Sequence, residues 1–225
     1  DSLYGRNDLI PMWVADMDFK APDCIREALE RRIAHQIYGY SSPCDGYWRS
    51  IINWERNLHG WNFTREEVTY IPGIVKGIAY VIQCFTAPGD KILVQPPVYM
   101  PFLNLPKNND RKLVFNPLIY SDNKYSIDFD GLERVCRDER PKLMILANPH
   151  NPAGIVWGRE VLATVADICA KYDVLVISDE IHADMALFGS VHVPFAMASG
   201  TAADISITFA APSKTFNMAG IVSSF

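Results

Sequence analysis

Two charged side chains stand where apolar strands run out. Lys214 sits in Ala211-Pro212-Ser213-Lys214-Thr215-Phe216-Asn217, a loop that follows the apolar run ISITFA at 205–210. Asp179 closes the run VLVIS at 174–178 and is followed by Glu180. Ligands of open α/β sheets bind beyond the C-terminal ends of strands. A lysine at such an end can form a Schiff base with an aldehyde cofactor. A buried acid there can keep a ring nitrogen of that cofactor protonated.

The elements that must hold these residues can be read from spacing and punctuation. Helices are predicted over 22–36, where Ile25, Leu29 and Ile33 recur at helical spacing behind Pro22, and over 47–59, stopped by Gly60. Further helices are predicted over 74–85, 99–105, 129–138 and 159–172. The run Ala87-Pro88-Gly89-Asp90 marks a turn. Strands are predicted over 68–71, 91–95, 113–117, 143–147, 174–178 and 205–210. Apolar strands alternating with helices imply an α/β fold, a three-layer α/β/α arrangement around a mostly parallel, mixed sheet. Residues 1–40 are more irregular and read as an N-terminal arm or part of a small domain, with 41–225 as the large domain.

Bulk properties exclude several classes. A net charge of −5 argues against a nucleic-acid or membrane-surface partner. The 49% apolar and 21% charged content is that of a globular protein. Five scattered cysteines without a C-x-x-C pair read as reduced thiols, which points to the cytoplasm. The five histidines show no metal spacing, so no metal site is expected. No apolar run is long enough to span a membrane, and the first residues lack the pattern of a secretory signal. The opening residue is not Met and the last residues, Ile221 to Phe225, lie within an apolar run, so a fragment of a longer protein is expected.

Five loops follow predicted strands: Pro72-Gly73-Ile74-Val75-Lys76-Gly77, Pro96-Pro97-Val98-Tyr99, Asn148 to Gly154, Asp179 to His182, and the Lys214 loop. At one edge of one sheet they can converge on one ligand. The phrases WVADMDF (13–19), YGYSSP (38–43), PPVYMPF (96–102), NPHNPAG (148–154), SDEIHADM (178–185) and APSKTFNMAG (211–220) resemble the fold-type I family of pyridoxal phosphate (PLP) enzymes, the class I/II aminotransferase superfamily. The resemblance is nearest to its cystathionine β-lyase-like C–S lyase branch. It covers nearly the whole chain in the family's order.

The resemblance implies a PLP-dependent transferase fold with a C-terminal small domain beyond this chain. Lys214 matches the Schiff-base lysine and Asp179 the acid that pairs with the pyridine nitrogen. Asn151 matches the amide bonded to the cofactor's phenolic oxygen. His182 stands where many relatives carry a tyrosine, which leaves open whether it touches the cofactor or supports the loop. Tyr99 matches the ring that stacks on the pyridine. Ile74, Val75 and Lys76 match the loop that cradles the phosphate, mainly through main chain. Ser213 matches a phosphate-contacting hydroxyl, whereas Ala211 replaces a serine of aspartate aminotransferases. Tyr40 resembles the tyrosine that reaches the phosphate of a neighbouring subunit, which implies a homodimer with shared sites. Val14 and Ala15 match the main chain facing the substrate carboxylate. The arginine that clamps that carboxylate, and a second phosphate arginine, are expected beyond the residues given.

The activity implied is β-elimination on an L-cystathionine- or L-cysteine-type amino acid, with Lys214 taking the α-proton and a thiol leaving. An aminotransferase shares every step up to that proton transfer, and the visible residues serve both. A regulator that keeps the fold is the reading from a different class.

Overall fold

The computed structural model describes residues 5–10 and 12–225. Residues 1–4 and 11 of the expected arm lie outside them. Helix α1 (Asp23–Ala34) follows Pro22 and buries no residue. Helix α2 (Asp45–Trp54) runs into a π-helical turn, Glu55–His59, stopped by Gly60 at φ 71°. The single helix expected over 47–59 is therefore two helical types. Helix α3 (Ile74–Phe85) leads to strand β1 (Lys91–Val94), helix α4 (Met100–Asn108) and strand β2 (Lys112–Phe115). A small hairpin, β3 (Ile119–Ser121) and β4 (Lys124–Ser126), precedes helix α5 (Phe129–Glu139), strand β5 (Leu143–Ala147), helix α6 (Arg159–Lys171) and strand β6 (Leu175–Asp179). A short helix α7 (Gly200–Asp204) comes before strand β7 (Ser206–Phe209).

The sheet runs β2-β1-β5-β6-β7, and every strand pair in it is parallel. Parallel strands are covered on both faces, and their residues alternate between two cores. Leu93, Met144, Leu146 and Val176 point to one core with α5 and α6 residues such as Leu132 and Val165. Ile92, Val94, Ile145 and Ile177 point to the other, with Ile78 and Ile82 of α3 and Phe102 of α4. The expected α/β/α layering is what these two cores describe.

One predicted strand is absent. Residues 68–71 form no strand; Ile71 makes a single antiparallel bridge to Ser224. Val68 packs with Trp48 and Ile51, and Ile71 joins the α3 core. The apolar run records burial, but without a neighbouring strand along its length it makes no ladder. The convergent edge is therefore built from the ends of β1, β5, β6 and β7 and from the N-terminus of α3.

Candidate active site

The last residues of three adjacent strands lie on one rung. Ala147 of β5 pairs with Asp179 of β6, and Asp179 pairs with Phe209 of β7. The Asn151 loop, Asp179 itself and the Lys214 loop therefore leave the sheet side by side. Asp179 is only 8% exposed, and one carboxylate oxygen accepts the Ile181 N–H at 3.2 Å. Burial pushes its pKa up to about 7; the Ile181 bond and the Lys214 charge oppose that rise, and Glu180 adds to it. Burial also lowers the His182 pKa, and the Lys214 charge lowers it further. Lys214, Asp179 and His182 thus share one electrostatic neighbourhood.

Asn151 and His182 line a common cavity of about 450 Å³ between their loops. Tyr99 closes the loop after β1, 40% exposed, with its ring nearly perpendicular to that of the buried Phe102 at 5.7 Å. At the start of α3, Gly73 holds φ 103°, and the first helical bond runs from the Gly77 N–H to the Gly73 carbonyl at 2.9 Å. That leaves the N–H groups of Ile74, Val75 and Lys76 without helical partners, a ready seat for an anion. The Ile74 side chain is in the core and those of Val75 and Lys76 are exposed. Gly77 allows this placement: a Cβ there would meet Ile71 Cδ1 at 2.5 Å and Phe209 Cε1 at 2.6 Å.

The Lys214 loop is a wound turn. The Phe216 N–H donates to the Pro212 carbonyl at 3.0 Å and the Met218 N–H to the Ser213 carbonyl at 2.9 Å. Ser213 is half-buried beside Lys214, while Ala211 is packed into the core. Sequence reasoning missed what fastens this loop. Thr215 Oγ1 donates to Asp184 Oδ2 at 2.9 Å. Asp184 Oδ1 also receives Trp54 Nε1 at 3.1 Å and pairs with His59 Nε2 at 2.8 Å. Phe216 meets Trp54 edge-on at 5.5 Å. Burial would raise the Asp184 carboxyl, but the bonds from His59, Trp54 and Thr215 hold it below the usual range. Burial works against a charged His59, yet the Asp184 bond and the charges of Glu55, Asp184 and Glu180 leave its pKa raised. Burial lifts Glu55 to about 7, with His59 opposing and Glu180 and Asp184 adding. A π-helical turn carries both Glu55 and His59, a local distortion often met at functional sites. Asp184 was within a quoted phrase, but its partners lie far off in sequence.

Glu180 is a bolt rather than a cofactor group. It accepts from Ser178 Oγ at 2.8 Å and the Phe195 N–H at 2.8 Å, and pairs with His192 Nε2 at 2.7 Å. It closes the end of β6 against the segment around Phe195.

The arm residues stand apart. Tyr40 is fully exposed. Val14 and Ala15 are exposed in a turn in which Ala15 adopts φ 63°. That turn is joined to the lysine loop through Asn217, whose side chain accepts the Met17 N–H at 3.1 Å and donates to the Met17 and Phe19 carbonyls at 3.0 and 2.7 Å.

These features suit pyridoxal phosphate. A carboxyl group this costly to ionise is completed by a cationic ring nitrogen. An amine lies within its field, the first amides of α3 lack helical partners and could seat a phosphate, and a partly exposed aromatic ring ends the loop after β1. Among the described residues no group of acids, histidines or cysteines forms a metal centre, and no helix is long and apolar enough to cross a membrane.

Comparison with known proteins points the same way. The family model for aminotransferase class I and II matches residues 8–223. The chain is 48% identical over 222 residues to the cystathionine beta-lyase PatB of Bacillus subtilis (strain 168), covering 99% of this chain and 57% of that protein. It superposes on cystalysin of Treponema denticola, which contains a pyridoxal 5'-phosphate cofactor, with TM-score 0.92 and 36% identity, covering 97% of this chain and 56% of that one. It superposes on the PLP-bound C–S lyase of Staphylococcus hominis complexed with L-cycloserine with TM-score 0.91 and 39% identity, covering 96% and 56%. The chain spans about half the length of the curated relatives it matches.

Proposed function

The chain belongs to the aminotransferase class I and II family, and from that premise we propose a PLP-dependent carbon–sulfur β-lyase acting on L-cystathionine- or L-cysteine-type amino acids. The products are a thiol, pyruvate and ammonia. The observation that supports PLP dependence is the buried Asp179, raised to about 7 and within the field of Lys214 at the next strand end. The likeness to the lyases named above favours elimination over transamination.

Bound pyridoxal phosphate supplies an electron sink for negative charge at the amino acid's α-carbon. Lys214 Nζ would hold the aldehyde carbon and, freed by the substrate amine, would take the α-proton and pass it to the leaving sulfur. Asp179 would keep the ring nitrogen protonated. Asn151 and His182 would hold the phenolic oxygen, and Tyr99 would stack on the ring. The amides of Ile74, Val75 and Lys76 would take the phosphate, with Ser213 assisting. Val14 and Ala15 offer main chain to the substrate carboxylate. After the Cβ–S bond breaks, the thiol leaves and water releases the remaining three carbons as pyruvate, with the amine as ammonia. Residues 1–40 act as an arm on a large domain from 41 onward. The protein is a cytoplasmic homodimer in which Tyr40 reaches the partner's phosphate.

An aminotransferase uses the same groups, and the family name keeps that reading in play. Pyruvate release from L-cystathionine without an added keto acid identifies the lyase. Turnover only with a keto acid refutes it. Lys214→Ala is expected to lose both pyruvate release and the visible absorbance of bound cofactor. If it keeps that absorbance, the lysine is assigned wrongly.

A further inference from the structure

We propose that Asn217 is a positioning residue: it fastens the Val14–Ala15 turn to the lysine loop and so places main chain against the amino-acid substrate. This rests on the reading of Val14 and Ala15 given above. Three observations meet here. First, one side chain spans 200 positions of sequence with three hydrogen bonds, filling its acceptor and both amide donors with the Met17 N–H and the Met17 and Phe19 carbonyls. Second, Ala15 holds φ 63° two residues before the first clamped amide. A left-handed backbone at a residue with a Cβ is strained and persists where the surroundings over-determine it. The turn is closed by a long bond, from the Asp16 N–H to the Trp13 carbonyl at 3.3 Å. Third, Val14 is 79% exposed and α1 buries no residue, so among the described residues the arm has little packing to hold it in place.

The far end of the clamp is rigid. Asn217 itself adopts φ 51°, a region that asparagine tolerates better than most residues. It ends the wound turn that carries Lys214, and Thr215 anchors that turn to Asp184. A shift of the arm is therefore resisted by the element that holds the catalytic amine. The clamp places the main chain assigned to grip the amino acid. Its three side-chain bonds go to Met17 and Phe19 rather than to groups assigned to the cofactor ring or phosphate, so its loss should separate substrate binding from cofactor binding.

Asn217→Gly is the clean perturbation, because glycine accepts the same backbone angle and removes all three bonds. In the cofactor-loaded protein, KM for L-cystathionine is expected to rise about tenfold, the scale of one to two lost net hydrogen bonds, with kcat and cofactor absorbance little changed. In the cofactor-free protein, trypsin is expected to cut after Lys20 about tenfold faster than in the wild type. An unchanged KM with unchanged cleavage at Lys20 overturns the proposal, as does loss of cofactor absorbance in parallel with activity. If the wild type itself releases no pyruvate from L-cystathionine, the lyase reading fails, and the Lys20 cleavage rate still decides on the clamp. Should Asn217→Gly not fold, Asn217→Asp tolerates the backbone angle and keeps the acceptor for Met17 but loses both donors. It is expected to show the same two shifts, and wild-type behaviour in it counts against the proposal.

Discussion

Replacing Asp179 with asparagine should make the cofactor-free protein more stable at neutral and alkaline pH while abolishing its use for cofactor. The carboxyl group is buried, and its pKa is raised from 3.8 to about 7, with burial as the leading cause. The unfolded chain loses this proton near pH 4, the folded chain near pH 7. Between those values the folded state holds a proton that the unfolded state has released, so stability falls as pH rises. Below about pH 4 both states are protonated, and the aspartate costs nothing relative to asparagine. Above about pH 7 the full cost is in place: about three pH units at roughly 1.4 kcal/mol each, or about 4 kcal/mol. Urea unfolding of the cofactor-free wild type and Asp179→Asn, followed from about pH 4 to about pH 8, isolates this group because titrations not coupled to it cancel in the difference. The two curves should converge at the acid end and separate steadily toward neutrality, with the variant above. Adding pyridoxal phosphate should reverse the order, since the ring cation neutralises Asp179 and has no partner in the variant. Parallel curves across the pH range would show that Asp179 is not ionising in a buried site and would refute the reasoning.

Two further outcomes follow from packing and from the lysine-loop fastening. Gly77→Ala drives a methyl group against Ile71 and Phe209 and should lower stability by about 1–3 kcal/mol, read from the urea midpoint; an unchanged midpoint would mean that α3 does not pack this closely on β7. Asp184→Asn removes the charge that favours protonated His59 and should lower the His59 pKa, followed by NMR of the ring protons; the pair stabilises the fold only while His59 is protonated and Asp184 is ionised, so the loss of stability should be largest in the mildly acid range, shrinking as pH rises through the His59 pKa or falls through that of Asp184.

What was legible in the chain was what local pattern controls. The bounds of α3 and β5 match the predicted 74–85 and 143–147 because an apolar run in each is bracketed by glycine or proline. The hairpin at Ile119–Ser126 was missed because its residues are mostly exposed and show no clean alternation. The strand expected at 68–71 fails for another reason: a strand is a relation between two segments, and β-type residues cannot declare a partner. The site divides along the same line. Lys214 and Asp179 were visible because their chemistry lies in residue type at a strand end. Asp184, His59 and Asn217 were not, since their roles come from partners met only when distant segments fold together.

The rung that joins Ala147, Asp179 and Phe209 acts as a ruler. Neighbouring strands are about 4.8 Å apart, so three successive strand ends deliver their loops across about 10 Å, a width comparable to one substituted pyridine ring. A strand inserted between β5 and β6 or between β6 and β7 would open that interval by half and leave no flat ring able to touch both sides. The strand order thus limits the size of the group the edge can grip, whatever chemistry its loops later acquire.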